Sequence, residues 1–275
     1  MPIKNLDKSS QMKKIIILTV ISILGIALFI LFGLTFDNMS FNLPRRALKV
    51  LAIAIVSFSI GYSSIVFQTI TGNRILTPGI MGLDSLYMFI QTVVVYFLGS
   101  RQLAMMTDTF QFFISGIIMV GASLLLYVFL FNGKMKNIYF LVLIGIIFGG
   151  FFNGLSNFMQ MMLDPNEFLV LQGKMFASFS AINVKLIGVC LVLIIFCIIS
   201  IIPDLKRLNV LSLGEDHAIN LGINCKRLIR KQMIVISVLI SVSTVLVGPV
   251  TFLGLLVASL AREVVKGYKQ GIMII

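Results

Sequence analysis

Long apolar runs separated by short polar stretches organise this chain. Segments with few or no charges recur at about 15–36, 50–70, 80–98, 110–131, 138–162, 184–202, 233–247 and 250–261. A run of about 18 or more apolar residues can cross a hydrocarbon core of roughly 30 Å as a helix. The strict alternation of membrane β-barrel strands is missing. The pattern therefore predicts an all-α polytopic membrane protein of about eight transmembrane segments, in one domain covering residues 1–275. The last two segments form a single uncharged run, Met233–Ala261, which as one helix would measure about 44 Å. Gly248-Pro249 is its natural break, because proline cannot continue the hydrogen-bond ladder. Two short spans, or a span and a half-helix, are expected there. The first run starts at Ile15 after Met12-Lys13-Lys14 and has no small-residue cleavage site, so it reads as a retained helix.

Composition agrees: 59% of the 275 residues are hydrophobic and 12% are charged. A soluble domain of this size could not bury that much apolar surface. The net charge of +12 would suit nucleic acid. Cytoplasmic loops explain it more simply, and no nucleic-acid partner is expected. With the N-terminus in the cytoplasm, sixteen Lys and Arg fall inside and six outside, a positive-inside bias that fixes the orientation. Cys190 and Cys197 lie about 10 Å apart along one helix, too far for a disulfide. His217 is the only histidine and no CxxC occurs, so neither metal nor cofactor is expected. No GxxxxGK[ST] motif is present, and any Ser/His/Asp set would have to use His217. The chain is expected to be no enzyme.

One polar stretch stands out, Leu211–Lys231, and the charge bias puts it in the cytoplasm, within a segment of about 203–231. Ser212-Leu213-Gly214-Glu215 fits a capping box, with Ser212 as the cap and Glu215 reaching back. That helix should run to about Leu221, with Gly222 as a left-handed stop and Asn224 capping a second helix that enters the membrane at Met233. Two short helices lying under the bilayer are stiff enough to receive a push from a soluble partner. A basic loop lying on lipid headgroups is the alternative.

The segment "LSLGEDHAINLGI" resembles the coupling segment of the iron–siderophore and vitamin B12 class of ABC importer permeases, the FecCD type. Leu211, Leu213, Gly214, Glu215, Ala218, Leu221 and Gly222 fill its usual pattern, and His217 falls at a variable position. Leu43-Pro44-Arg45, Gly61, Gln68, Asn73, Pro78, Gly79 and Gly82 are similar to a second family stretch, with "NRILTPG" where NPLADPG is usual. That variant, "LDPNEFLVLQGKMFASF" and "GPVTFLGLLVASLAR" resemble the subfamily serving ferric siderophores. In the last of these, Ala258-Ser259 replaces a frequent Pro-His.

The resemblance implies a type II ABC importer permease fold in a bacterial cytoplasmic membrane. It also implies two copies of an ATP-binding subunit, a second permease subunit (the same or different), an extracellular or periplasmic substrate-binding protein, and a ferric siderophore as cargo. Vitamin B12 or haem are the alternative cargoes within the family. A secondary transporter and a non-transporting, truncated permease are the alternatives outside this reading. Family permeases usually have about ten spans, so two further spans are expected after Gln270 and the chain reads as truncated.

The resemblance assigns Arg45 to docking the binding protein. Asn42 stands where a second arginine is common, and Arg46 partly compensates. Snorkelling to headgroups is the competing reading for both. Asn153, Asn157 and Gln160 share one helix face at i, i+4, i+7. They fit either a pathway lining, as in the family, or hydrogen bonds between helices. Gly145/Gly149 and Gly150/Gly154 are small-xxx-small pairs, expected to serve packing within the subunit rather than a dimer contact. Asp84 should sit near a helix start, where a carboxylate suits the dipole.

Overall fold

The computed structural model describes residues 8–32, 39–105, 110, 113–122, 138–179, 182 and 186–265. Among the described residues every regular element is a helix. They are α1 (Lys8–Leu31), α2 (Met39–Thr71), α3 (Leu83–Met105), α4 (Phe113–Ala122), α5 (Ile138–Met161), α6 (Pro165–Met175), α7 (Ile187–Ile201), α8 (Leu205–Leu211), α9 (Glu215–Asn220), α10 (Cys225–Val247) and α11 (Thr251–Val264). Among the described residues five helices are long and apolar enough to cross a membrane: α1, α2, α5, α10, and α7 continued through α8.

The predicted segment 80–98 becomes a 3-10 turn, Pro78–Met81, followed by α3, whose regular part ends at Gly99 (φ +71°). Of 110–131, only 110 and 113–122 are described, and the two lysines at 134 and 136 lie outside the described residues. The uncharged run after Met233 breaks where proline demands it. Gly248 adopts φ +106°, and α11 has 14 residues, about 21 Å, too short to span alone. Helix α6 had not been foreseen. Its start is conventional: Asp164 accepts from the Asn166 amide at 2.9 Å, and Pro165 occupies the first helical position.

α2 is the hub. It packs on α10, α11, α7 and α1, and its 33 residues measure about 50 Å. From Ser59 onward nearly every face is covered, as expected for a helix inside a bundle. Ser59, Gly61, Ser63 and Ser64 keep its surface low, so that α11 can press close. A Cβ at Gly61 would lie 3.4 Å from Val257 Cγ1. The Arg262 guanidinium, near the end of α11, donates to Gln68 of α2 at 3.2 Å. By contrast α1 presents its apolar surface outward almost everywhere, as a lipid-facing helix does.

The two glycine pairs of α5 have different fates. A Cβ on Gly82 would sit 2.8 Å from Gly149 Cα and 3.1 Å from the Gly145 carbonyl, so Gly145/Gly149 is the seat on which the start of α3 rests. Around Gly150 and Gly154 nothing lies within 4 Å.

Candidate functional site

The polar stretch folds into an elbow. α7 leaves its apolar run through a 3-10 turn, Ile202–Asp204, which leads directly into α8. The predicted capping box is not formed. Ser212 closes α8 as its C-cap and donates its hydroxyl to the Asn209 carbonyl at 2.7 Å. α9 then starts at Glu215 with Gly214 as N-cap, at φ +117°. A backbone in that region is outside any helix, so Ser212 cannot reach the first turn of α9.

The other end matches the sequence expectation. Gly222 takes φ +80°, its amide donates to Ile219 O at 2.9 Å, and the Ile223 amide donates to Ala218 O at 3.0 Å. Those two bonds are the Schellman closure. Asn224 accepts from the Arg227 amide at 3.1 Å and starts α10, which runs unbroken to Val247.

The motif residues divide by face. Ala218 is fully buried, beneath α9, and the neighbouring Leu208, Leu211 and Leu228 are buried too. Leu213 (56% exposed) and Leu221 (66%) point outward with Ile219, beside the exposed Glu215, Asp216 and His217. The elbow thus carries an apolar crest with an acidic edge.

Beneath the elbow lies a buried polar cluster that the sequence reading did not identify. The Asp204 carboxylate is 1% exposed. One oxygen receives Arg207 Nη1 at 3.0 Å; the other receives Lys231 Nζ at 2.6 Å and Gln232 Nε2 at 3.2 Å. Gln232, fully buried, accepts the Tyr62 hydroxyl on its carbonyl oxygen at 2.5 Å. Lys231 also donates to the Ser200 carbonyl at 2.7 Å. A cleft of about 590 Å³ opens beside the cluster, with Arg207, Arg227 and Lys231 on its wall. The signal was a lone carboxylate closing one apolar run and a Lys-Gln pair opening another, the kind of intramembrane polar residue that needs named partners.

At the opposite end of α2, Arg45 is exposed with its guanidinium 4.2 Å from the Phe41 ring centre, a cation–π contact. Arg46 turns to α1 and donates to the Ile30 and Phe32 carbonyls at 2.9 and 2.5 Å, satisfying the bare end of that helix. A groove of about 750 Å³ between α1 and α2 is lined by both arginines, Asn42 and Lys49.

On α5, Asn153 donates to Ser85 at 2.9 Å and Gln160 to Thr92 at 3.3 Å, both on α3. Asn157 is exposed and lines, with Gln160, an open pocket of about 520 Å³. Asp84 lies in the first turn of α3 and accepts a short hydrogen bond from the Thr251 hydroxyl at the start of α11. Asp84 thus stands between the first turns of α3 and α11, held by that hydroxyl. Among the described residues no group of His, Cys, Asp and Glu could hold a metal ion.

Comparison with known proteins places this geometry in context. The profile of the FecCD transport family matches residues 14–275. Over 261 residues the chain is 48% identical to the petrobactin import system permease protein YclO of Bacillus subtilis, covering 95% of this chain and 82% of that protein. It is 36% identical over 234 residues to the petrobactin import system permease protein FatC of Bacillus anthracis, covering 84% of this chain and 66% of that one. A solved structure titled as an inward-facing conformation of a putative metal-chelate type ABC transporter superposes with a TM-score of 0.80. It is 21% identical and the match covers 96% of this chain and 85% of that one.

Proposed function

The chain belongs to the FecCD transport family, and from that membership we propose that it carries a ferric siderophore across a bacterial cytoplasmic membrane as the permease subunit of an ABC importer. It is a transporter subunit and not an enzyme. The observation that carries the cargo assignment is the 48% identity with a petrobactin import permease along 95% of the chain. Petrobactin, or a ferric siderophore of closely similar shape, is the cargo.

In this reading residues 1–275 act as one membrane domain with the N-terminus and the elbow in the cytoplasm, the orientation the lysine and arginine bias favours. Two ATP-binding subunits grip the elbow. Leu213 and Leu221 supply apolar contact, Glu215 gives a charged edge, Ala218 anchors α9 to the bundle, and Gly214 and Gly222 fix the turns at either end. Outside, Arg45 meets a carboxylate of the substrate-binding protein; its exposure and charge suit long-range steering. Arg46 shares that surface and braces α1 behind it. Asn153, Asn157 and Gln160 line the route beside a second permease subunit, with the exposed Asn157 nearest the cargo. ATP closes the ATPase pair, the elbows move, and the route changes the side to which it opens.

The test uses the full chain. A strain lacking its own petrobactin permease, given this chain with matching ATPase and binding protein, should regain uptake of ⁵⁵Fe-petrobactin. No uptake, with the protein present in the membrane and the ATPase bound, refutes the cargo. Glu215→Lys should abolish co-purification of the ATPase while leaving the amount of folded permease unchanged. Retention of the ATPase by that variant refutes the grip.

A further inference from the structure

The buried cluster under the elbow has a geometry that apolar packing alone would not need. Replacing a buried ion pair with well-packed apolar side chains is often neutral or stabilising, so stability is a weak reason for its presence. A stronger reason is direction. Hydrophobic contact is non-directional and lets surfaces slide, whereas hydrogen bonds fix angles as well as distances.

The connections are specific. Asp204 ends the turn by which the chain enters the elbow, and Lys231 and Gln232 lie on α10, by which it leaves. Both carboxylate oxygens are occupied, by Arg207 on one and by Lys231 and Gln232 on the other. Gln232 uses its two ends for different elements, its amide nitrogen for Asp204 and its oxygen for Tyr62 of α2. Flipping that amide would set its oxygen against the Asp204 carboxylate, acceptor against acceptor, so its orientation is fixed. Tyr62 is held in turn by Phe58, with ring centres 6.1 Å apart. Burial excludes competing water, since Asp204, Gln232 and Tyr62 are all nearly inaccessible. Lys231 and Arg207 are half-exposed at the cleft, so they can follow a displacement of the elbow without losing solvation.

We propose that Asp204, Gln232 and Tyr62 form a positioning relay that locks both arms of the elbow to the middle of α2 and transmits its displacement to that helix. The relay rests on the importer reading above and adds to it which side chains carry the stroke. Tyr62→Phe is the informative variant, because it removes one hydrogen bond and leaves the ionic cluster whole.

The experiment uses the assembled transporter with a spin label on one of two exposed positions, Asn220→Cys on α9 or Leu51→Cys on α2; the described native cysteines are buried. ADP–vanadate trapping closes the ATPase pair, and both labels should respond when Tyr62 is intact. With Tyr62→Phe the α9 response should persist and the α2 response should fall at least about threefold. Transport per ATP hydrolysed should fall similarly, and Gln232→Leu, which removes the link to Asp204 as well as that to Tyr62, should lower the α2 response at least as far as Tyr62→Phe does.

An α2 response in Tyr62→Phe equal to that of the unmutated protein overturns the relay. Loss of both responses also overturns it, since the cluster would then only hold the elbow together. Silence of both labels in the unmutated protein refutes the importer reading itself, a result distinct from either.

Discussion

Two aspartates, Asp204 and Asp84, each face the interior of the bundle, and they are stabilised in opposite ways. Asp204 is surrounded by side chains: two cations and an amide converge on its oxygens. Asp84 makes no ion pair among the described residues and is held by the Thr251 hydroxyl, where the first turns of α3 and α11 meet. The first arrangement ties the turn at Asp204 to α10 and, through Gln232, to α2, and depends on its buried members. The second is a single hydrogen bond between the starts of two helices. A carboxylate held by several side chains makes a joint, and one held by a single hydroxyl marks where two helix starts meet.

That contrast can be tested in order of effect. Asp204→Ala strands the amide of the fully buried Gln232 and removes the anion from Lys231. It should cost about 3–5 kcal/mol, read as a fall in unfolding midpoint of the purified protein in detergent. Gly82→Ala should cost about 1–3 kcal/mol by forcing the start of α3 away from Gly149, whereas Gly154→Ala, with open space around it, should be nearly neutral. An equal loss for both would show that α3 does not rest on that seat. Asp84→Asn keeps the shape and an acceptor for Thr251, and should change stability by about 1 kcal/mol or less in the same melt. A loss as large as that of Asp204→Ala would erase the distinction between the two sites. Arg207→Ala should change stability least, below about 1 kcal/mol, because its side chain is 62% exposed.

How far this was legible in advance depends on the range of the interaction. Hydropathy located α1, α2, α5, α7 and α10 because each needs only its own apolar run. Gly248-Pro249, Gly222 and Asn224 were readable because backbone conformation and capping are decided within four residues. Ser212 misled: the Ser-x-x-Glu spacing is correct, yet Gly214 lies between and takes a conformation that ends one helix before the next begins. α6 was announced by Asp164-Pro165, a helix-start signal hidden among loop-like residues. The relay was not legible. Tyr62 and Gln232 are 170 positions apart, and no periodicity in either helix records such a bond. Asn153 and Gln160 show an intermediate case: their shared face was visible, but their partners on α3 were not.

The length of α2 has one more consequence. Arg45 and Tyr62 sit on the same helix, about 26 Å apart along its axis, with no break between them. A helix that long behaves as a see-saw beam: a tilt of about 5° about either residue swings the other sideways by roughly 2 Å. A displacement at Arg45 and one at Tyr62 would therefore be two readings of a single angle.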